Sequence, residues 1–251
     1  MNKAATSEQR QGERIAKVIA RAGICSRREA EKLIEQGRVT VDGTTLTTPA
    51  VLVTAKNVVK IDGERLPVKE PLRLWLFHKP KGYVTTHKDP QQRQTVFDLL
   101  PKDMPRVISI GRLDLNTEGL LLLTNDGALS RHLELPKNGW IRRYRVRVFG
   151  KVSPAMLEQM QQGITVDGVA YGAIDATLDR QQGGNSWLTL SLKEGKNREI
   201  RKVCEYFGLK VNRLIRVSYG PFQLGSLQEG KLKEVSAKVV AEQLGKFLEE
   251  Q

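Results

Sequence analysis

Cysteine is scarce in this chain: Cys25 and Cys204 stand far apart without CxxC spacing, which argues against a disulfide framework and against a thiolate cage for zinc. Histidine is little more common. His78, His87 and His132 form no cluster with metal-ligand spacing and read as structural or surface residues. No run approaches the roughly 18 apolar residues that cross a bilayer, and the N-terminus lacks the apolar core of a signal peptide, so a soluble, reducing compartment, the cytoplasm, is expected. Neither GxGxxG nor GxxxxGK[ST] occurs, and a nucleotide cofactor therefore lacks its usual phosphate cradle.

Positive charge, by contrast, is abundant. The 251 residues hold 41 Lys and Arg against 28 Asp and Glu, a net charge of +13 whose simplest physical use is attraction to a polyanion such as nucleic acid. The cations are spread through strand and helix patterns instead of lining one amphipathic helix, which disfavours a membrane surface. The chain is long enough for two unequal domains at about 100 to 200 residues each.

Residues 1–12 are polar, without apolar period, and are expected to form a mobile tail. Ile15, Val18 and Ile19 mark a helical stripe closed by Gly23. Ser26-Arg27-Arg28-Glu29 is a capping-box signature for a second helix with Ala30, Leu33 and Ile34 on its inner face and Gly37 as its stop. Val39–Val41, the turn Asp42-Gly43, Val58–Ile61 and Asp62-Gly63 then predict a small sheet. Cations at 27 and 28 oppose the helix dipole, so helix stability does not explain them. A phosphate docked there does. Residues 1–60 hold eleven basic and six acidic residues, so the excess is already present in this unit.

Residues 64–71, with two prolines and several charges, read as a linker. Beyond it the pattern predicts a strand at Leu72–Phe77, a turn at Lys79-Pro80-Lys81-Gly82-Tyr83, a strand at 107–110, and the segment Gly111-Arg112-Leu113-Asp114 leading into apolar Leu120–Leu123. Asp126 opens a short helix. Tyr144–Phe149 alternates as a strand, Ser153-Pro154 opens a helix ending at Gly163, Trp187–Leu192 alternates again, 197–207 carries a helical stripe, and Val211–Val217 closes the pattern. Short strands mixed with separate helices favour an α+β class over a doubly wound sheet. Asp114, a carboxylate two residues from a guanidinium at the mouth of a buried strand, is the candidate reacting group.

Gly-Arg-Leu-Asp at 111–114, Arg-Arg-Tyr-Arg-Val-Arg-Val-Phe-Gly at 142–150, Gly-Lys-Asn-Arg-Glu-Ile-Arg at 195–201 and Lys-Pro-Lys-Gly at 79–82, behind the small N-terminal module, resemble the RsuA-type family of bacterial ribosomal RNA pseudouridine synthases, and within it the RluB-like, large-subunit branch. The resemblance covers nearly the whole chain. It implies an S4 RNA-binding domain over 13–63 and a catalytic domain over 72–251 built on a mixed, mostly antiparallel sheet with flanking helices. It further implies a uridine of ribosomal RNA, 23S before 16S, or a pre-ribosomal particle as substrate, a monomeric isomerase as actor, and no cofactor or metal.

Position by position, the resemblance makes Asp114 the catalytic aspartate that attacks or deprotonates the ribose. Tyr144 would stack on the flipped uracil, Arg201 would pair with the aspartate, Arg112 would accompany base flipping, and Ile200 would support the base. Arg27, Arg28, Lys32, Arg38, Lys79 and Lys81 are the candidate RNA-contacting cations. The sequence departs from the pattern at one place: where some related synthases carry histidine and glutamine, Arg198 and Glu199 stand here. The competing reading is a non-catalytic S4-type assembly factor, which has no need of these residues in matching positions.

Overall fold

The structure is a computed structural model that describes residues 12–249, so the expected tail over 1–12 lies outside the described residues but for Gly12. The chain divides into two compact units, residues up to Leu72 with Pro105–Val107, and Arg73–Met104 with everything from Ile108 onward.

In the first unit, β1 (Glu13–Arg14) precedes α1 (Ile15–Arg21), and α2 (Arg27–Glu35) follows. The Ser26 hydroxyl accepts from Glu29 N–H while the Glu29 carboxylate accepts from Ser26 N–H, the reciprocal cap that the sequence predicts. β2 (Val39–Val41), β3 (Thr44–Thr45), β5 (Val59–Ile61) and β6 (Glu64–Arg65) form an antiparallel sheet of order β3-β2-β5-β6, and β4 (Leu52–Val53) pairs with β1. Asp42-Gly43 and Asp62-Gly63 take positive φ at both positions, the turn type whose twist suits two-residue hairpins. The sheet runs further than expected. Glu64–Arg65, read from sequence as the start of the linker, pair with β5, because the second Asp-Gly turn returns the chain antiparallel. Ile15, Ile19, Ala30, Ile34 and Val39 are buried together beneath it.

The second unit is built on nine strands, with order β13-β14-β10-β15-β9-β7-β17. Its elements are β7 (Leu74–Lys79), β8 (Ile108–Ile110), β9 (Glu118–Thr124), α3 (Gly127–Glu134), β10 (Arg142–Phe149), α4 (Pro154–Gln162), β11 (Ile164–Val166), β12 (Val169–Tyr171), β13 (Asp175–Gln182), β14 (Asn185–Leu192), α5 (Glu199–Tyr206), β15 (Lys210–Tyr219), β16 (Phe222–Gln223), β17 (Leu232–Glu234) and α6 (Ala237–Glu249). β11 and β12 form a separate hairpin, β16 is appended to β15, and β8 to β9. Inward residues of β10 and β14, among them Val146, Val148, Leu188 and Leu190, pack with Met160 of α4 and Val203 and Cys204 of α5. The alternation read in the sequence thus faces a helical layer on one side only.

Two boundaries differ from expectation. β7 starts at Leu74 and continues through Lys79, which takes that lysine out of the turn. α5 starts at Glu199 instead of Asn197, because Arg198 sits at φ 52°, ψ 28°, a left-handed conformation that ends any helix behind it.

Among the described residues all strand pairs of the large sheet but one are antiparallel. β9 and β15 run parallel, with Glu118 opposite Ile215 and Gly119 opposite Arg216. At this crossing Gly119 has φ 103°, and a Cβ there would lie 2.3 Å from the Arg216 carbonyl oxygen and 2.7 Å from its nitrogen. The neighbour is backbone and cannot swing aside. Gly119→Ala is expected to destabilise the protein by about 3 kcal/mol or more, combining overpacking with a disfavoured φ, and denaturant unfolding measures it.

Candidate active site

The loop joining β8 to β9 carries Asp114, and it is held from both flanks. The Thr85 hydroxyl donates to Leu113 O at 2.9 Å and accepts from Leu113 N–H at 3.3 Å, while Gly82 N–H donates to Leu115 O at 2.9 Å. Thr117 N–H donates to Asp114 O, closing the loop into a turn. Beneath it lies Lys79, with no exposed surface. Its ammonium donates to Pro80 O and Thr117 O at 2.9 Å and to Leu115 O at 3.4 Å. Burial pushes the Lys79 pKa down to about 8, against the pull of the Asp114 and Glu118 carboxylates. The expectation that Lys79 contacts RNA is therefore corrected: its three donors are spent on backbone carbonyls inside the fold.

Asp114 Oδ2 lies 3.8 Å from Arg201 Nε, and the acid is the more exposed partner, at 35 % of its side chain against 15 %. The guanidinium comes from α5. Its Nη2 donates to Asn116 O at 2.9 Å, tying the helix to the far end of the Asp114 loop, and its Nε is buried without a hydrogen-bond partner among the described residues. Burial lowers the Arg201 pKa while the Asp114 charge opposes that shift.

These groups line one open cleft of about 740 Å³. Arg112 stands exposed at its edge, Tyr144 is half-buried on β10, and Ile200 is buried behind Arg201, so the five candidates expected at the uridine come together. An anionic group, an aromatic face, an apolar wall and two guanidiniums in one cleft can receive a flat base and a charged backbone.

Of the six candidate RNA-contacting cations, Arg27, Arg28 and Lys32 are exposed on α2. Arg38 is half exposed as well and pairs with Asp62, Nε to Oδ1 at 2.9 Å and Nη2 to Oδ2 at 2.6 Å. Lys81 stays half exposed, 3.5 Å from Glu118.

The RNA pseudouridylate synthase model matches residues 73–206, which hold every group of the cleft named so far, and the S4 domain model matches 13–59. The chain belongs to the RNA pseudouridylate synthase family. It is 50% identical over 228 residues to an uncharacterized RNA pseudouridine synthase of Rickettsia felis, covering 91% of this chain and 99% of that one. It is 43% identical to the ribosomal large subunit pseudouridine synthase B of Salmonella typhi, over 84% of this chain and 75% of that one. A crystal structure of a pseudouridylate synthase superposes with TM-score 0.65 at 26% identity, over 92% of this chain and 99% of that one.

Sequence reasoning missed part of the synthase's cleft. Arg142 is buried and donates through Nη2 to the Tyr219 hydroxyl at 2.7 Å, which donates in turn to Leu133 O at 2.8 Å; burial raises the Tyr219 pKa. Arg216 is buried and donates through Nε to Leu120 O at 2.7 Å. Glu199 is buried too, accepts from Lys196 N–H, and has its pKa raised by burial. A signal existed for one of them: Arg142 is two residues from Tyr144 on a strand and so shares its face.

The Lys79 strut has a pH signature. Folding lowers its pKa from 10.5 to about 8, so between those values the unfolded chain holds the proton that the native state releases, and this group's contribution to stability grows as pH rises through the window. Relative to Lys79→Met, the native protein is expected to gain about 1 to 2 kcal/mol between pH 7.5 and pH 10, read from denaturant midpoints.

Proposed function

We propose that this synthase isomerises a uridine of ribosomal RNA, in the large subunit, with Asp114 as the reacting carboxylate. The carrying observation is Asp114 Oδ2 at 3.8 Å from Arg201 Nε on the wall of a cleft wide enough for a nucleotide. The large-subunit assignment is supported by the Salmonella typhi relative, whose name specifies that subunit. The proposed arrangement is an RNA-binding domain over 13–63, a linker over 64–71 that begins within β6, and a catalytic domain over 72–251, acting as a monomer in the cytoplasm on ribosomal RNA or a pre-ribosomal particle.

The reaction breaks the N1–C1′ bond, turns the uracil in place, forms a C5–C1′ bond and transfers hydrogen from C5 to solvent while N1 gains a proton. Nothing is oxidised or reduced, so the step needs no cofactor. Asp114 acts on the ribose as nucleophile or base, and Arg201 supplies the counter-charge beside it in a cleft that excludes part of the water. Unstacking the uridine costs a few kcal/mol, least in a loop or bulge, and stacking on Tyr144 over the Ile200 wall offsets it. Arg112, at the cleft edge, holds the displaced strand.

Asp114→Asn is expected to lower pseudouridine formation about a thousandfold or more, measured as loss of the C5 hydrogen from tritiated RNA; near-native release would transfer the chemistry elsewhere. Neutralising Arg27, Arg28 and Lys32 together is expected to flatten the salt dependence of RNA binding, by up to about three in the slope of log affinity against log salt. A native slope would remove α2 from the RNA contact.

A further inference from the structure

Arg198 takes no part in the chemistry described at Asp114, yet the fold holds it in a costly way. Its φ of 52° is a conformation that glycine or asparagine adopts more readily than arginine, and its side chain makes no capping hydrogen bond to α5. The side chain is exposed, and no described residue pairs with it.

Arg198 lines two clefts at once. One is the Asp114 cleft. The other, of about 490 Å³, lies between the last turn of α5 and the start of β15 and is lined by Arg201 and Lys210 as well, with Glu205 as its one acid. Arg201 is already engaged by Asp114, and Arg198 is near enough to act on Arg201 as a like charge. Like charges at this junction repel, and an anion placed there relieves the repulsion.

Resting on the reading that the first cleft takes the target uridine, we propose that the second cleft carries the RNA strand away from that nucleotide, with Arg198 gripping the adjoining phosphodiester and Lys210 extending the track. The lining chemistry favours phosphate over base. Among the described residues no aromatic side chain lines the second cleft to stack a base, whereas a guanidinium presents a planar fork that matches two phosphate oxygens. Because Arg198 and Arg201 border both clefts, a strand can pass from one to the other without leaving the cationic surface.

The test uses the full chain and transcripts of both 23S and 16S ribosomal RNA. Arg198→Gly removes the charge and suits the backbone, so it is expected to melt at or above the native temperature while its affinity for the converted transcript falls about tenfold. Its slope of log affinity against log salt becomes shallower by about one, and by about two when Lys210→Gln is added. KM rises by more than kcat falls, and Arg198→Lys restores most of the slope. A native slope in Arg198→Gly would sink the inference, as would a lower melting point that Arg198→Lys does not recover, since that marks a structural role. Inorganic phosphate that raises the melting point of the native protein and not of Arg198→Gly, with RNA slopes unchanged, would reassign the site to free anions. A native protein that converts uridine in neither transcript ends the reading above and this inference with it; conversion with an unaltered slope ends the inference alone.

Discussion

The cleft that holds Asp114 depends on one close crossing. β9 and β15 meet in parallel where Gly119 lies against the backbone of Arg216, and there is no room for a side chain between them. The crossing joins β7, β8 and β9 to the β10, β14 and β15 layer. It sets the loop after β8, with Asp114, beside strands that carry Arg142, Tyr144 and Leu214. Several antiparallel neighbours, β10 with β15 and β7 with β17 among them, also lie far apart in the chain, so the cleft is assembled by long-range pairing.

Around this crossing the molecule handles charge in two ways. Lys79 is sunk beneath the Asp114 loop and satisfied by carbonyls, a cation used as a rigid pin whose lowered pKa records how dry its site is. Arg201 is kept at the cleft wall, bonded to the loop through Nη2 but with Nε left toward Asp114. The first arrangement fixes the loop and the second leaves the carboxylate reachable beside a cation. Both use the same physical fact, that a partly dry surrounding magnifies each charge and makes its partners decisive.

Much of the fold was legible because its signals are local. The capping box at Ser26, the Asp-Gly turns, the Ser153-Pro154 start of α4 and the alternation of β10 and β14 each depend on residues a few positions apart. The candidate residues of the cleft were legible as motif segments, and the structure brings Arg112, Asp114, Tyr144, Ile200 and Arg201 together. Less legible were Arg142, Arg216, Tyr219 and Glu199, buried polar groups whose partners come from distant segments.

The amino-acid order by itself determined the locally signalled elements, the cationic balance and the identity of the groups that can do chemistry, since these follow from composition and short-range spacing. Only the tertiary structure decided what each cation does. Lys79 and Lys81 are two residues apart in one motif, yet one is buried under a loop and the other is half exposed; Arg38 and Lys32 are both exposed, yet Arg38 is paired with Asp62 and Lys32 has no ion pair among the described residues. The reason is physical: a charge is defined by its distance to other charges and to water, and those distances are set by which strands pair, not by which residues are adjacent.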